Sequence, residues 1–395
     1  MLREWDVVVI GAGGSQAQAM LRAAARDGEL DSWLAVDRAW RPDTRAATED
    51  LGAQILETDP LASPDALAEL LSSTRLIANL AGPYYRTGLA ILDAAMTTRT
   101  DYIDICDDAD VTIPMLSRDQ AAKSAGIRAL VGMGSSPGTT NVLIRAAVDH
   151  LGPVEDVEIC WTVDTADLTE AAIRHFWHCF NLVDPDGRIH KVASWDALER
   201  RTVDFPGAVG RQSLVRLAHP EPITIPRFLP VKRTSNFGAI SPEESLVVAW
   251  SLALIADEQR TTSKGSGLTD EAARLFRHYR ESRQGAKRIG SGMLIDVHTK
   301  GNGLRFSSGG EAGMDDSTGI PAAAGIKMML SGKVPPCGVL APELLSPAEF
   351  FSALRRVSAG GGGLMLHRLV SGTPTERLRI RDLLTPARPE AVKAS

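Results

Sequence analysis

The segment Gly11-Ala12-Gly13-Gly14-Ser15-Gln16 restricts this chain more than any other stretch. It follows a β-branched run, Val7-Val8-Val9-Ile10, and opens a stretch with Ala17, Met20, Leu21 and Ala24 at helical spacing. A strand, a glycine turn and a helix in that order form a dinucleotide-binding fingerprint. The first glycine permits the tight turn. The second lets backbone N–H groups approach a pyrophosphate at the positive end of the helix dipole. Gln16 stands where a strict fingerprint has its third glycine, the one that serves close helix–strand packing, and Gly14 and Ala17 compensate in part. Asp37 ends the next apolar run, Trp33-Leu34-Ala35-Val36-Asp37, near the offset of about 20 residues expected for a ribose-binding acid. The competing reading is a glycine turn that merely opens an α/β domain.

The runs that follow repeat the alternation. Gln54-Ile55-Leu56-Glu57-Thr58-Asp59, Leu76-Ile77-Ala78-Asn79-Leu80, Tyr102-Ile103-Asp104-Ile105 and Ala129-Leu130-Val131-Gly132 read as strands with helical stretches between most of them. Continuous apolar strands separated by helices imply a parallel sheet covered on both faces. The fold class expected is α/β: an N-terminal Rossmann domain with a doubly wound parallel sheet over residues 1–136. Past Gly152-Pro153 the period changes. Val157, Ile159, Trp161 and Val163 alternate with polar residues, and Ile295, Val297 and Thr299 lead to Asn302-Gly303, a hairpin-turn signal before Leu304-Arg305-Phe306. Residues 137–333 are therefore expected to form a second, α+β domain. In residues 334–395 a helix is expected to start at Ser346-Pro347-Ala348-Glu349, and a loop is expected over Gly360 to Gly363.

The 395 residues suit two or three domains, and 44% hydrophobic with 23% charged residues is an ordinary globular balance. A formal net charge of −6 with no long basic run argues against nucleic acid as a partner. No apolar stretch approaches the roughly 20 residues needed to span a bilayer, and the start does not read as a signal peptide. A cytoplasmic chain without membrane association is expected. Cys106, Cys160, Cys179 and Cys337 form no Cys-x-x-Cys pair, so neither a zinc site nor a disulfide framework is expected. His175 and His178 share a helical spacing without an evident third ligand, and no metal is expected. Asp37 favours NAD, because it can accept hydrogen bonds from both ribose hydroxyls and repels a 2′-phosphate. Arg38 keeps NADP open.

From Asn79-Leu80-Ala81-Gly82-Pro83-Tyr84 onward the chain resembles the saccharopine dehydrogenase family. The resemblance runs through Asp101-Tyr102-Ile103-Asp104-Ile105-Cys106-Asp107-Asp108, Ala125-Gly126-Ile127, and Gly134-Ser135-Ser136-Pro137-Gly138-Thr139-Thr140-Asn141. It returns at Ser317-Thr318-Gly319-Ile320-Pro321-Ala322-Ala323 and Gly338-Val339-Leu340-Ala341-Pro342-Glu343, and it is loose over residues 165–290. It implies that residues 137–333 serve substrate binding and dimerisation and that residues 334–395 pack back on the Rossmann domain. It also implies a homodimeric enzyme that moves hydride between NAD(P) and a carbon–nitrogen bond of a small amino-acid or polyamine-like substrate.

Ligands bind outside the carboxyl ends of parallel strands, which singles out two loops. The full cofactor set expected is Gly11, Ala12, Gly13, Gly14, Ser15, Gln16, Asp37, Arg38, Asp59, Ala81 and Gly82. The catalytic candidates are Tyr84, Asp107 and Asp108. Tyr84 is either a proton donor at the reacting carbon or an amphipathic residue packing at a domain interface. Asp107 and Asp108 either stabilise a cationic nitrogen or, with Asp110, complement the next helix N-terminus. Ser135 and Ser136 lead into a helix start able to meet a carboxylate. Arg145, Arg174, Arg227 and Arg233 are the carboxylate partners considered, and His219-Pro220-Glu221 is ambiguous between pocket and packing. Three other functions compete. A sugar dehydrogenase would carry a lysine where Cys106-Asp107-Asp108 stands. A semialdehyde dehydrogenase would use Cys106. The third is a nucleotide-sensing scaffold, hinted at by Gln16.

Overall fold

Apolar β-branched runs close to the N-terminus pair with one another because each is too short to bury itself. The computed structural model describes residues 3–183, 189–191, 198–257, 266–283, 285, 287–360 and 363–384. The first third contains β1 (Trp5–Ile10), α1 (Ser15–Ala25), β2 (Trp33–Asp37), α2 (Pro42–Asp50), β3 (Gln54–Glu57) and α3 (Pro64–Ser72). It continues with β4 (Thr74–Asn79), α4 (Tyr84–Thr98), β5 (Asp101–Asp104), α5 (Ala109–Leu116), α6 (Asp119–Ala125) and β6 (Arg128–Leu130). Next come α7 (Thr139–Leu151), β7 (Val154–Asp164), α8 (Glu170–Cys179), β8 (Asn181–Val183), β9 (Ile189–Lys191), β10 (Arg200–Phe205) and β11 (Gly210–Arg216). They are followed by α9 (Glu221–Phe228), β12 (Val231–Ser241), α10 (Glu243–Asp257) and α11 (Ser266–Ser282). The chain then forms β13 (Ser291–His298), β14 (Asn302–Gly310), α12 (Met314–Leu330), β15 (Gly338–Leu340) and α13 (Pro347–Val357). The described residues end with β16 (Met365–Val370), β17 (Thr373–Leu378) and α14 (Ile380–Leu383).

The first sheet has the order β15-β6-β5-β4-β1-β2-β3 among the described residues, and all its pairings are parallel. The reversal of order beside β1 opens a crevice at the carboxyl ends of β1 and β4, where such sheets bind ligands. Val7, Val8, Val9, Leu76, Ile77 and Ala78 are buried in one core that also takes Ala323 and Ile326 of α12, Val339 of β15 and Phe350 of α13. The N-terminal sheet is thus the doubly wound Rossmann sheet anticipated from the sequence, closed by a late strand.

The second sheet runs β10-β11-β12-β7-β13-β14-β16-β17. Among the described residues only β12 and β7 pair in parallel in this sheet; their register starts at Val231↔Val154. Alternation along β7 reflects two different coverings. Val157 and Ile159 pack with Leu143 and Ala147 of α7, while Cys160 packs with Phe176 of α8, Ala249 of α10 and Phe276 of α11.

Two sequence expectations change here. The β13–β14 hairpin turns at Lys300-Gly301, two residues earlier than Asn302-Gly303. The Thr299 N–H donates to the Asn302 carbonyl at 2.8 Å, and Gly301 has the positive φ of 91°. Gly303 is instead a strand residue pressed against its partner, where a Cβ would lie 2.3 Å from the Val297 carbonyl oxygen. The chain also returns to the first sheet earlier than residue 333 and then leaves it again. α12 packs on α1 and joins the first core, whereas β16 and β17 extend the second sheet. Buried apolar faces, not chain order, decide which layer each segment joins. Ser346 caps α13 as its sequence suggests, accepting from the Glu349 N–H at 3.5 Å. Gly361 and Gly362 of the expected loop lie outside the described residues.

Candidate functional site

A cavity of about 1200 Å³ lies between the two sheets. Ordinary ligand pockets span about 300–1,000 Å³, so this volume suits a dinucleotide together with a second molecule. Gly13, Gly14, Ser15 and Gln16 line it from the β1–α1 turn, Gly82, Pro83 and Tyr84 from the end of β4, and Ile105 and Asp107 from the end of β5. Gly134, Ser135, Ser136 and Pro137 line it beyond β6. The second sheet contributes Trp161, Thr162, Met293 and Ser308, and α12 contributes Met314, Ser317 and Thr318.

The glycine turn fits a dinucleotide. Gly11 has φ +81°, and a Cβ there would sit 2.6 Å from the Ala81 backbone, so Gly11 and Ala81 bring the β1 and β4 ends into contact. Ala12 is buried beneath this turn. The first turn of α1 holds no acidic side chain of its own, which leaves its dipole free for an anion. Asp37 reaches the turn directly: its Oδ2 accepts from the Gly13 N–H at 2.9 Å, and its Oδ1 from the Ala39 N–H at 3.3 Å. Gln16 faces the cavity, and the close packing expected of a third glycine comes from the opposite helix. A Cβ on Gly319 of α12 would lie 2.6 Å from the Met20 nitrogen and 2.7 Å from the Gln16 carbonyl oxygen. The hydroxyl of Ser15 donates to Asp315 Oδ1 at 2.7 Å, tying the phosphate-binding turn to the start of α12. Arg38 and Asp59 are exposed and do not line the cavity; Asp59 accepts from the Leu61 N–H at 3.0 Å. Arg41, which the sequence did not single out, lines it instead.

The catalytic candidates separate. Asp107 is half-buried on the cavity wall, whereas Asp108 is 1% exposed, absent from that wall, and occupies the position preceding α5. Tyr84 begins α4; its hydroxyl donates to the Asn79 carbonyl at 3.1 Å. Burial and the neighbouring Asp104 carboxylate raise the Tyr84 phenol well above its usual range, so it is a neutral donor.

Behind these loops stands Asp104, whose role sequence reasoning missed. Its Oδ1 accepts from the N–H groups of Gly132 at 2.7 Å and Cys106 at 3.0 Å, and its Oδ2 from the Tyr102 hydroxyl at 2.7 Å. Asn79 donates to that hydroxyl at 3.1 Å. One carboxylate thereby fixes the ends of β4, β5 and β6 relative to one another. Burial raises its pKa to about 6, against the lowering effect of these donors. Cys106 is fully buried, and burial with nearby Asp104, Asp108 and Asp107 pushes its thiol well up, contrary to what a covalent nucleophile requires.

A second buried cluster meets the cavity at Ser136 and His219. His219 Nδ1 lies 3.2 Å from Glu221 Oε2, and Ser136 and Thr140 donate to Glu221 Oε1, the latter at 3.3 Å. Burial alone would lower the His219 pKa, but Glu221 and a hydrogen bond with Cys179 raise it to about 10. Of the ambiguous His219-Pro220-Glu221, His219 thus lines the pocket and Glu221 is buried behind it. The arginines considered for a carboxylate do not line the cavity. Arg145 pairs with Asp149, Arg174 with Asp270 and Arg233 with Asp156, while Arg227 stacks over Phe228. Arg355 and Arg381 of the C-terminal helices line it instead. His175 and His178 fall in α8, but their side chains lie outside the described residues. Among the described residues no group of three or more His, Cys, Asp or Glu side chains could hold a metal ion, and no helix is long and apolar enough to cross a membrane.

Residues 7–130 match the family model described as the saccharopine dehydrogenase NADP binding domain. Across 93% of this chain and 98% of its own length, carboxyaminopropylagmatine dehydrogenase of Synechocystis sp. is 25% identical. Two solved structures share the fold. Saccharopine dehydrogenase (L-Glu forming) of Saccharomyces cerevisiae aligns with a TM-score of 0.58 at 14% identity, over 92% of this chain and 99% of that one. Homospermidine synthase of Legionella pneumophila, solved in complex with NAD, aligns with a TM-score of 0.64 at 11% identity, over 94% and 93%. The glycine turn, the crevice and these relatives agree: the chain is a saccharopine dehydrogenase-like NAD(P)-binding oxidoreductase, with the nucleotide-binding domain of that family at its N-terminal end.

Proposed function

We propose that the protein interconverts an amine and an imine on an amino-acid or polyamine-like substrate. The observation that carries this reading is Asp107, the carboxylate on the cavity wall at the end of β5, beside the glycine turn and Tyr84. A fixed negative charge there stabilises a cationic nitrogen, and it does so more strongly in a site shielded from water. The names of two relatives, carboxyaminopropylagmatine dehydrogenase and homospermidine synthase, support the same substrate class.

The roles follow from position. The turn formed by Gly11, Ala12, Gly13, Gly14, Ser15 and Gln16, with Ala81 and Gly82 facing it, binds the dinucleotide, which when bound supplies or accepts a hydride. Asp37 orients that turn through Gly13 and favours NAD over NADP. Asp107 holds the cationic nitrogen. Tyr84 stays protonated and shapes the cavity wall beside it. Asp108 supports the loop from behind. The enzyme acts in the cytoplasm as a homodimer, and the exposed Val247 and Leu275 on the neighbouring helices α10 and α11 support the dimer.

The test is NADH and NADPH oxidation with 2-oxo acids or aldehydes, each with and without α,ω-diamines or α-amino acids. Amine-dependent oxidation, faster with NADH, is expected. Oxidation that ignores the amine, or none with any pair, overturns the proposal, and faster turnover with NADPH overturns the cofactor preference alone.

A further inference from the structure

Hydride transfer to an iminium needs no proton, yet forming that iminium from an amine and a carbonyl needs two proton movements. An ammonium must first lose a proton to become nucleophilic, and the carbinolamine must later gain one so that water can leave. Tyr84, buried and neutral, is a poor base for the first step, and Asp107 is occupied with cationic charge in the reading above.

The cavity wall offers another group. The Ser136 hydroxyl donates to Glu221 Oε1 and accepts from Asn236 Nδ2 at 3.4 Å. A hydroxyl has one donor and two acceptor lone pairs, so one lone pair of Ser136 remains on the cavity side. Asn236 is itself oriented by the indole N–H of Trp161, which donates to its Oδ1 at 2.8 Å. Glu221 is fully buried, and a buried carboxylate requires a partner. His219, 2% exposed, supplies it at 3.2 Å. The other titratable groups facing this pair are Cys179 of α8 against His219, and Glu343, which Asn141 holds at 3.0 Å and Glu221 repels. Such a chain of charge-assisted bonds ending at a cavity is more than a helix cap requires.

We propose that Glu221, acting through the Ser136 hydroxyl, is the acid–base group that forms the iminium, with His219 as its positioning residue. The inference rests on the amine–imine reading. In the first step the ammonium N–H passes its proton to Ser136 Oγ as the Ser136 proton moves to Glu221 Oε1. This leaves a free amine and a neutral Glu221. The amine nitrogen bonds to the carbonyl carbon, and the carbinolamine forms once the nitrogen proton reaches the oxygen. In the second step the proton returns from Glu221 through Ser136 to the carbinolamine oxygen. The C–O bond breaks, the nitrogen lone pair completes C=N⁺, and water leaves. Ammonium and carbonyl have become iminium and water, and the Glu221 carboxylate is restored. His219, 3.2 Å from Glu221 Oε2, holds that carboxylate aimed at Ser136.

The experiment compares two NADH-dependent reductions. One uses 1,4-diaminobutane with pyruvate, or the fastest open-chain pair of the screen above; the other uses 1-pyrroline, a preformed cyclic imine that bypasses both proton steps. In Ser136→Ala, Glu221→Gln and His219→Asn, the ratio of open-chain to 1-pyrroline turnover should fall about 10²-fold or more, the scale of lost general acid–base catalysis. The loss should lie in kcat, with calorimetric NADH affinity kept. The double variant Ser136→Ala/His219→Asn should be no slower than the slower single variant, because one relay is cut twice. If Glu221→Gln or His219→Asn does not fold, Ser136→Ala decides, since it removes one oxygen at the cavity wall. An unmoved ratio, or equal loss on both substrates, overturns the relay. Wild-type enzyme that reduces neither substrate overturns the amine–imine reading instead.

Discussion

At the scale of single residues, adjacent identical side chains do different work because the chain turns between them. Asp107 faces the cavity and Asp108 is buried behind it. Asp107→Asn should therefore lower kcat and kcat/KM together, as expected when a charge acts chiefly in the transition state. Asp108→Asn should instead leave the kinetics unchanged and act through stability alone, because its carboxylate is buried off the cavity wall. Steady-state kinetics and thermal melts of the two variants check this. Equal kinetic defects with equal melting temperatures would remove the distinction. Asp104 illustrates the same principle inward: it does not reach the cavity wall, yet its carboxylate accepts from donors on β5 and at the ends of β5 and β6, and through the Tyr102 hydroxyl it is linked to Asn79 of β4.

At the scale of elements, the contact between α1 and α12 is the junction that couples the nucleotide turn to the rest of the molecule. Gly319 lets the two helices approach until only hydrogen fits between them, and Ser15 and Asp315 bond across the same junction. Gly319→Ala should force the helices apart, costing about 1–3 kcal/mol as overpacking does. Because α1 carries Ser15 and Gln16, NADH affinity should fall as well. Calorimetry and a thermal melt measure both, and full affinity at unchanged stability would show that the junction yields freely. The same contact explains why Gln16 is tolerated in the fingerprint. The close approach in this molecule is helix against helix, and the glycine sits on the later helix.

For the whole molecule, the buried His219–Glu221 pair joins the loop after β6 to the start of α9, so its charge state belongs to the stability of the assembled fold. The His219 pKa is raised from an ordinary 6.5 to about 10. A raised histidine contributes stability that is fully present below about pH 6.5 and is lost as pH rises through about 10. The melting temperature should therefore decline between pH 7 and pH 10, and the decline should flatten in His219→Asn. Melts across that window check it. A slope that persists in the variant would assign the decline to other groups.

What the sequence by itself determined was local. The strand–glycine–helix order, the parallel sheet, Asp37 at the end of β2 and the Ser346 cap all follow from periodicity and from residues a few positions apart. The Asn302-Gly303 turn was misjudged by two residues, because any glycine admits positive φ and only the packing of β13 against β14 decides which one uses it. The tertiary structure alone decided the partnerships across long separations. Ser136 and Glu221 meet across 85 positions, Ser15 and Asp315 across 300, and β15 completes a sheet begun at β1. It also decided that Arg41, Arg355 and Arg381, not the arginines of the middle segment, reach the cavity. Such contacts leave no periodic trace in a single chain, because burial and charge pairing select residues by where the layers close rather than by their spacing along the sequence.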